Sequence, residues 1–286
     1  MELAGYKVGT QVLTRFRLDG GAMFGSVPKV LWELSAPSDA KNRIGLVARV
    51  LTLRWPGGLA LVDAGLGEKF GPRETEMFAV EPTPARSQGF RWDELSDLIL
   101  THLHFDHAGG ATVWNASGGE PSAGAAGPPE AVLRAPQARV HLPEANLANA
   151  RKPGPRERAS YLAANVEPLA KADLHLLGDG AEVLSGVKVH ISNGHTRGLG
   201  WILVGSGPGA VAFPADLIPT STHLHLPFVM GYDMCVETLL REKEAFLTRA
   251  VEERWIVVFA HDENVPAARI ERAREGRFVL GEVVKI

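Results

Sequence analysis

Cysteine is nearly missing: Cys235 stands alone in 286 residues. A lone thiol cannot close an internal disulfide, so a stapled scaffold is excluded and a reducing compartment is expected. Long apolar runs are missing too; none approaches the ~18 residues that a membrane-spanning helix needs. The opening Met1-Glu2-Leu3-Ala4-Gly5-Tyr6-Lys7 carries no basic stretch followed by an apolar one. The expectation is therefore a cytoplasmic protein with no membrane partner. An excess of positive charge is also absent: 30 Lys and Arg face 33 Asp and Glu, for a formal net charge of -3. That balance argues against a nucleic-acid partner. What remains is ordinary for a globular chain, 45% hydrophobic and 22% charged. The length suits one large α/β domain or two small ones, with a substantial core; a single domain over 1–286 is the expectation.

Strand signals dominate. Ile44 to Leu53 is rich in Val, Leu and Ile, and Trp55-Pro56-Gly57-Gly58 then turns the chain into Leu59-Ala60-Leu61-Val62. Two apolar runs around a Pro-Gly turn predict a β-hairpin. Leu98-Ile99-Leu100, Arg139 to Leu142, Leu174 to Leu177, Val187 to Ile191, Trp201 to Val204 and Ala210 to Phe213 also read as strands. Trp255 to Ala260 is wholly apolar, as in a buried central strand. Residues 116–136 are rich in Gly, Ala, Pro and Ser and read as a flexible surface loop. Helices are predicted after Pro143 and over Pro155 to Lys171, making 143–172 a lid-like helical segment. Val236 to Glu253 has apolar residues at helical spacing. The pattern implies sheets with helices outside them.

The chemistry-bearing run is His102-Leu103-His104-Phe105-Asp106-His107, which follows a buried strand directly. Imidazole and carboxylate together suit zinc, iron or manganese. In an extended backbone His102 and His104 can point the same way. Asp106 and His107 can then turn to a second ion, helped by Gly109 and Gly110. Further potential ligands lie just beyond other strands: His195 in Gly194-His195-Thr196, Asp216 in Pro214-Ala215-Asp216, and His261 after the most apolar run. Open sheets place their sites at such strand ends.

With these motifs, in this order from Asp63 to His261, the chain resembles the metallo-β-lactamase superfamily. The resemblance implies an αβ/βα sandwich of four layers, two mixed sheets flanked by helices, with the site at one edge. It implies two divalent ions, zinc first, with iron and manganese compatible. His102, His104 and His195 would bind one ion; Asp106, His107 and His261 would bind the other. Asp216 would bridge them, and Asp63 would orient a ligand from behind. Cys235 matches no ligand position and reads as structural. A water shared by the ions would attack the substrate, with Asp106 orienting it and receiving its proton.

The substrate is less legible. The Asp19 to Lys29 stretch resembles that of lactonase-like branches of the superfamily, and Met23 and Phe24 would offer an apolar wall. His223 and Tyr232 are candidate catalytic residues on a loop after Asp216, with Tyr232 donating to the substrate oxygen. Arg151, Lys152, Arg156 and Arg158 read as a solvated helix face. His141, His175 and His190 read as structural. The leading expectation is a hydrolase of a small ester, lactone or thioester. The alternatives are phosphodiester or phosphotriester hydrolysis at the same site, and a non-catalytic metal-dependent binding or sensory protein. The apolar N-terminal and lid-like segments suit a homodimer interface as well as a pocket.

Overall fold

The computed structural model describes residues 1–115 and 130–286. Its frame starts from a long hairpin. Strand β1 (Glu2–Leu3) leads into β2 (Tyr6–Asp19), which pairs antiparallel with β3 (Arg43–Trp55). The Pro56-Gly57 turn then carries the chain into β4 (Gly58–Val62), as predicted. β5 (Glu81–Pro82) pairs with β2. From β4 the sheet continues in parallel through β6 (Asp97–Ile99), then, beyond the small β7 (Thr112–Trp114) and β8 (Ala131–Leu133) pair, through β9 (Arg139–Pro143) and β10 (Leu174–Leu177). The second sheet runs in chain order from β11 to β17: Glu182–Leu184, Val187–Ser192, Leu199–Val204, Val211–Phe213, Ile256–Val258, Ala267–Arg272 and Phe278–Val283. Only β14 and β15 are parallel in it.

The helices are α1 (Gly20–Phe24), α2 (Lys29–Trp32), α3 (Pro72–Met77), α4 (Phe105–Ala108), α5 (Glu144–Arg151), α6 (Ala163–Ala170) and α7 (Val236–Glu252). Inner faces of the two sheets bury Leu51, Leu53, Val62 and Ile99 against Val189, Ile202, Phe213 and Val258. The outer face of the first sheet packs Leu98, Val140 and Leu142 on Leu147 of α5 and Leu169 of α6. The outer face of the second packs Trp201, Leu203 and Val257 on Leu239, Phe246 and Leu247 of α7. The result is the expected sandwich, two mixed sheets with helices outside. A fourth cluster, including Phe16, Leu18, Phe24, Trp32 and Leu46, caps one end of the sheets beside the candidate site.

Several expectations need correction. Of the loop predicted over 116–136, residues 116–129 lie outside the described residues, but Ala131–Leu133 form a strand, because they pair in register with Thr112–Trp114. The helix predicted over 155–171 is shorter; a 3₁₀ turn at Arg158–Ser160 precedes α6. The Asp19–Gly25 stretch, for which no element was predicted, forms helix α1, because Asp19 Oδ1 accepts from Ala22 N at 2.8 Å and caps it. No helix among the described residues is long and apolar enough to cross a membrane.

Candidate metal centre

Five strand ends feed the site. β4 leads into Asp63, β6 runs toward His102, β12 precedes His195, β14 precedes Asp216 and β15 precedes His261. Two of these exits hold non-glycine residues in the left-handed region: Asp63 at φ 63° and Ala215 at φ 49°. Such conformations cost on the order of 1–3 kcal/mol each and persist where the surroundings over-determine them. Here they aim the Asp63 and Asp216 carboxylates inward. Helix α4 lifts Asp106 and His107 off the line of His102 and His104. Its exit needs glycine at 110, where a Cβ would stand 2.1 Å from Ala64 O. Gly194 is similarly tight; its Cβ would meet Leu239 Cα at 2.3 Å.

The seven predicted ligands converge as two groups, His102, His104, His195 and Asp216, and Asp106, His107, Asp216 and His261. All seven are buried. Asp216 faces both groups: Oδ2 lies 3.2 Å from His195 Nε2, and Oδ1 lies 3.1 Å from His107 Nε2 and 2.9 Å from His261 Nε2. Asp106 Oδ2 is 3.6 Å from His261 Nε2, and His104 Nδ1 is 3.2 Å from His195 Nε2.

Oxygen acceptors behind the rings set which nitrogens face in. His107 Nδ1 donates to Asp63 Oδ2 at 2.7 Å, His195 Nδ1 to Asp233 Oδ1 at 2.9 Å, and His261 Nδ1 to Val47 O at 2.9 Å. Thr101 Oγ1 sits 2.9 Å from both Asp63 oxygens and 3.1 Å from His102 Nδ1. With the hydroxyl donating to Asp63, His102 Nδ1 donates to the hydroxyl. Four Nε2 atoms therefore turn toward one carboxylate. His107 Nε2 and His261 Nε2 lie only 3.0 Å apart, and His102 Nε2 is buried with no hydrogen-bond partner. Buried acceptors crowded in this way call for a cation.

In the metal-free protein, protons on two of the rings meet the same need. Burial works against charge on His107, yet Asp216, Asp63 and Asp106 raise its pKa well above the ordinary value. Burial also opposes charge on His195, and Asp216 and Asp233 outweigh it, up to about 10. Burial would raise Asp216, but His107, His261 and His195 hold it well below the usual carboxylate range. His102 and His104 go the other way: burial, then His107 for His102 and His195 for His104, keep them neutral. The cluster gathers positive charge around a buried anion, while two neutral imidazoles stay free to coordinate. The donor set fits divalent ions.

A cavity of about 200 Å³ opens on His104, Asp106, His195, Asp216 and His261. Leu18, Met23, Leu46, Phe78, Phe105 and Met230 form its apolar wall, and Ser160 and Tyr232 its polar edge. No lysine or arginine lines it among the described residues. Tyr232 thus lies at the edge of the cavity. Burial, then Asp106 and Asp19, pushes its phenol up to about 12. Met23 lines the cavity as expected, but Phe24 does not. It is fully buried, stacked between Trp32 and His223 at 5.2 and 5.0 Å.

His223 is the other correction. It does not line the cavity, because both ring nitrogens are engaged: Nε2 donates to Met23 O at 2.9 Å and Nδ1 pairs with Thr220 Oγ1 at 2.7 Å. Burial and then Lys243 push its pKa down to about 3, so it remains a neutral crosslink. The three other histidines read as structural pair with neighbours outside the site: His141 lies on Asp97 and His175, and His190 stacks on Trp201. Cys235 is exposed before α7, outside both ligand groups. Arg156 is not simply solvated; its guanidinium bonds Gly231 O.

Sequence reasoning missed the residues behind the site. Asp233, Thr101, Tyr161 and Asn146 belong to no pattern with a ligand spacing. Tyr161 packs edge-on to His104 at 4.7 Å, with its hydroxyl 2.8 Å from Thr196 Oγ1. Asn146 accepts from Leu103 N at 2.9 Å and donates to Arg197 O at 3.0 Å, tying two ligand loops together.

Comparison with known proteins places this geometry. The family model of the metallo-beta-lactamase superfamily matches residues 53–261. A probable metal-dependent hydrolase from Staphylococcus aureus superposes with a TM-score of 0.83 at 23% identity, covering 99% of this chain and 100% of that one. AidC, a dizinc quorum-quenching lactonase in complex with its N-hexanoyl-L-homoserine product, gives 0.76 at 15% identity, covering 100% and 97%. An N-acyl homoserine lactone hydrolase, with that product bound at its catalytic metal centre, gives 0.63 at 19% identity, covering 92% and 95%. No curated protein gave a significant match.

Proposed function

Because the chain belongs to the metallo-beta-lactamase superfamily, we propose that it is a binuclear hydrolase of small neutral esters, lactones foremost among them. In this reading His102, His104 and His195 hold one ion, Asp106, His107 and His261 the other, and Asp216 both. Two such ions, when bound, lower the pKa of a shared water and polarise the substrate oxygen. The likeness to a dizinc lactonase supports zinc.

The protein's own groups do the rest. The Tyr232 phenol, protonated through neutral pH, donates to the substrate oxygen as charge develops there. Asp106, which lines the cavity, orients the attacking water and takes up its proton. Met23, Leu46 and Phe105 exclude water around the acyl portion.

The observation that carries the substrate class is the apolar, cation-free wall on a paired ligand cluster. A phosphodiester keeps a negative charge that only the bound ions, and no side chain of this wall, would pair. A neutral lactone or ester asks only for apolar cover and one donor.

The test is a panel of acyl lactones, thioesters and phosphodiesters offered to the zinc-loaded protein. The expected outcome is lactone or ester turnover at least about a hundredfold above phosphodiester turnover in kcat/KM, roughly 2.7 kcal/mol of discrimination. Turnover of phosphodiesters alone would overturn the substrate class. Metal analysis of Asp216→Ala and His261→Ala tests the ligands: each should lose bound metal together with hydrolysis. Two ions retained at full activity would defeat the assignment.

A further inference from the structure

The stripe by which α7 faces the core runs Leu239, Lys243, Phe246, Leu247, Ala250. One member is a lysine, 1% exposed. A charge is costly to bury, and its environment shows where its contacts go. Lys243 Nζ donates to His225 O at 2.8 Å, to Phe228 O at 2.8 Å and, more weakly, to Leu226 O at 3.4 Å. An ammonium has three donors, and all three meet carbonyls of one irregular segment.

That segment joins the 3₁₀ turn at Ser221–Leu224 to α7 and has no strand or helix of its own. It carries Met230 and Tyr232 to the cavity. It also carries Asp233, whose Oδ1 holds His195 and whose Oδ2 accepts from Met230 N at 2.6 Å. Beyond Phe228 the main chain is tied by Gly231 N to Ala22 O at 2.7 Å and by Met234 N to His195 O at 3.0 Å. Between Leu224 and Phe228 the main chain has one bond of its own, Phe228 N to His225 O at 3.0 Å, and the Phe228 ring packs edge-on to Phe24; Lys243 supplies the tie from these carbonyls to α7.

We propose that Lys243 is a positioning residue: from behind the cavity its ammonium holds the 225–228 carbonyls, and so sets where Tyr232 presents its phenol to the reacting centre. The proposal rests on the hydrolase reading for its kinetic consequence, not for its structural one.

The experiment is a double-mutant cycle of Lys243→Met and Tyr232→Phe on the zinc-loaded protein, with hydrogen exchange measured alongside. Lys243→Met should keep its metal and lose kcat about ten- to a hundredfold, the scale of misplacing a catalytic group by about 1 Å, with a smaller change in KM. In a Tyr232→Phe background the same change should cost little further. Lys243→Arg, which keeps charge and donors, should recover part of the loss. Amides of 225–235 should exchange at least about fivefold faster in Lys243→Met, while those of α7 and the sheets do not. If Lys243→Met does not fold, Lys243→Gln carries the same cycle. Equal losses in both Tyr232 backgrounds, or no loss at all, would overturn the proposal. If the wild type hydrolyses no ester, the hydrolase reading fails by itself. Exchange then decides: selective loosening of 225–235 upholds the positioning, and unchanged exchange overturns it.

Discussion

His195 shows how a single residue links charge to stability. Burial disfavours its charged form, but Asp216 and Asp233 raise its pKa to about 10, against an ordinary 6.5. Between those values the metal-free folded protein keeps a proton that the unfolded chain has lost. Its contribution to stability is therefore full below pH 6.5 and disappears as pH climbs to about 10. Urea unfolding of metal-free protein should show this decline, and His195→Gln should lack it. Zinc loading should release the proton, which calorimetry in buffers of different ionisation enthalpy would detect. A metal-free wild type with the same pH slope as His195→Gln would contradict this account. Tyr232 makes the opposite kind of prediction. With its pKa at about 12 the phenol is a donor at every working pH. Tyr232→Phe should lower kcat about ten- to a hundredfold without loss of metal. A kcat decline near pH 10 that vanishes in Tyr232→Phe would refute the raised pKa.

Among elements, the strand exits matter most, because each must deliver a side chain inward in the space of one or two residues. Asp63 does so from φ 63°, a conformation that asparagine also tolerates. Asp63→Asn should thus keep the backbone while removing the charge behind His107. Zinc affinity is expected to fall about ten- to a hundredfold, and the apo protein should also melt lower, because buried His107 loses one of its charge partners. Unchanged affinity would show that the hydrogen bond alone suffices. Gly110→Ala is a steric test of the exit from α4. Its methyl would press on Ala64 O, so a destabilisation of more than about 2 kcal/mol is expected by denaturant unfolding. A neutral result would mean that the 64–67 and 109–110 segments separate easily. Much at this scale was legible: the β3–β4 hairpin and α7 follow from periodicity and turn residues. The full length of β2 and the strands β16 and β17 were not, because charged and polar residues on their exposed positions break up the apolar pattern.

For the molecule as a whole, the candidate centre joins both sheets. His102 and His107 follow β6 of the first sheet, while His195, Asp216 and His261 follow β12, β14 and β15 of the second. Ions held there would crosslink the two halves of the sandwich, binding the folded state and not the unfolded one. Chelation should therefore lower the melting temperature by several degrees, and zinc should restore it. In Asp216→Ala that response should shrink strongly. A melting temperature indifferent to chelation in a protein shown to lose its metal would mean that the sheets need no such crosslink.

The sequence by itself determined which residue types could serve a metal site and the order in which they come. The His102–His107 run, His195, Asp216 and His261 stand out because ligand chemistry restricts the residue types and strand ends leave a local trace. It also determined the alternation of strands and helices from which the sandwich is built. Only the tertiary structure decided which candidates face the cavity. His223 and Tyr232 lie nine positions apart on one irregular stretch, yet one is a buried crosslink and the other an edge of the cavity. Asp233 on His195, Thr101 on Asp63 and Lys243 on the His225 carbonyl were decided in the same way. Their partners are distant in sequence, and a hydrogen bond between distant residues leaves no periodicity to read; it exists only once the chain has brought its two ends together.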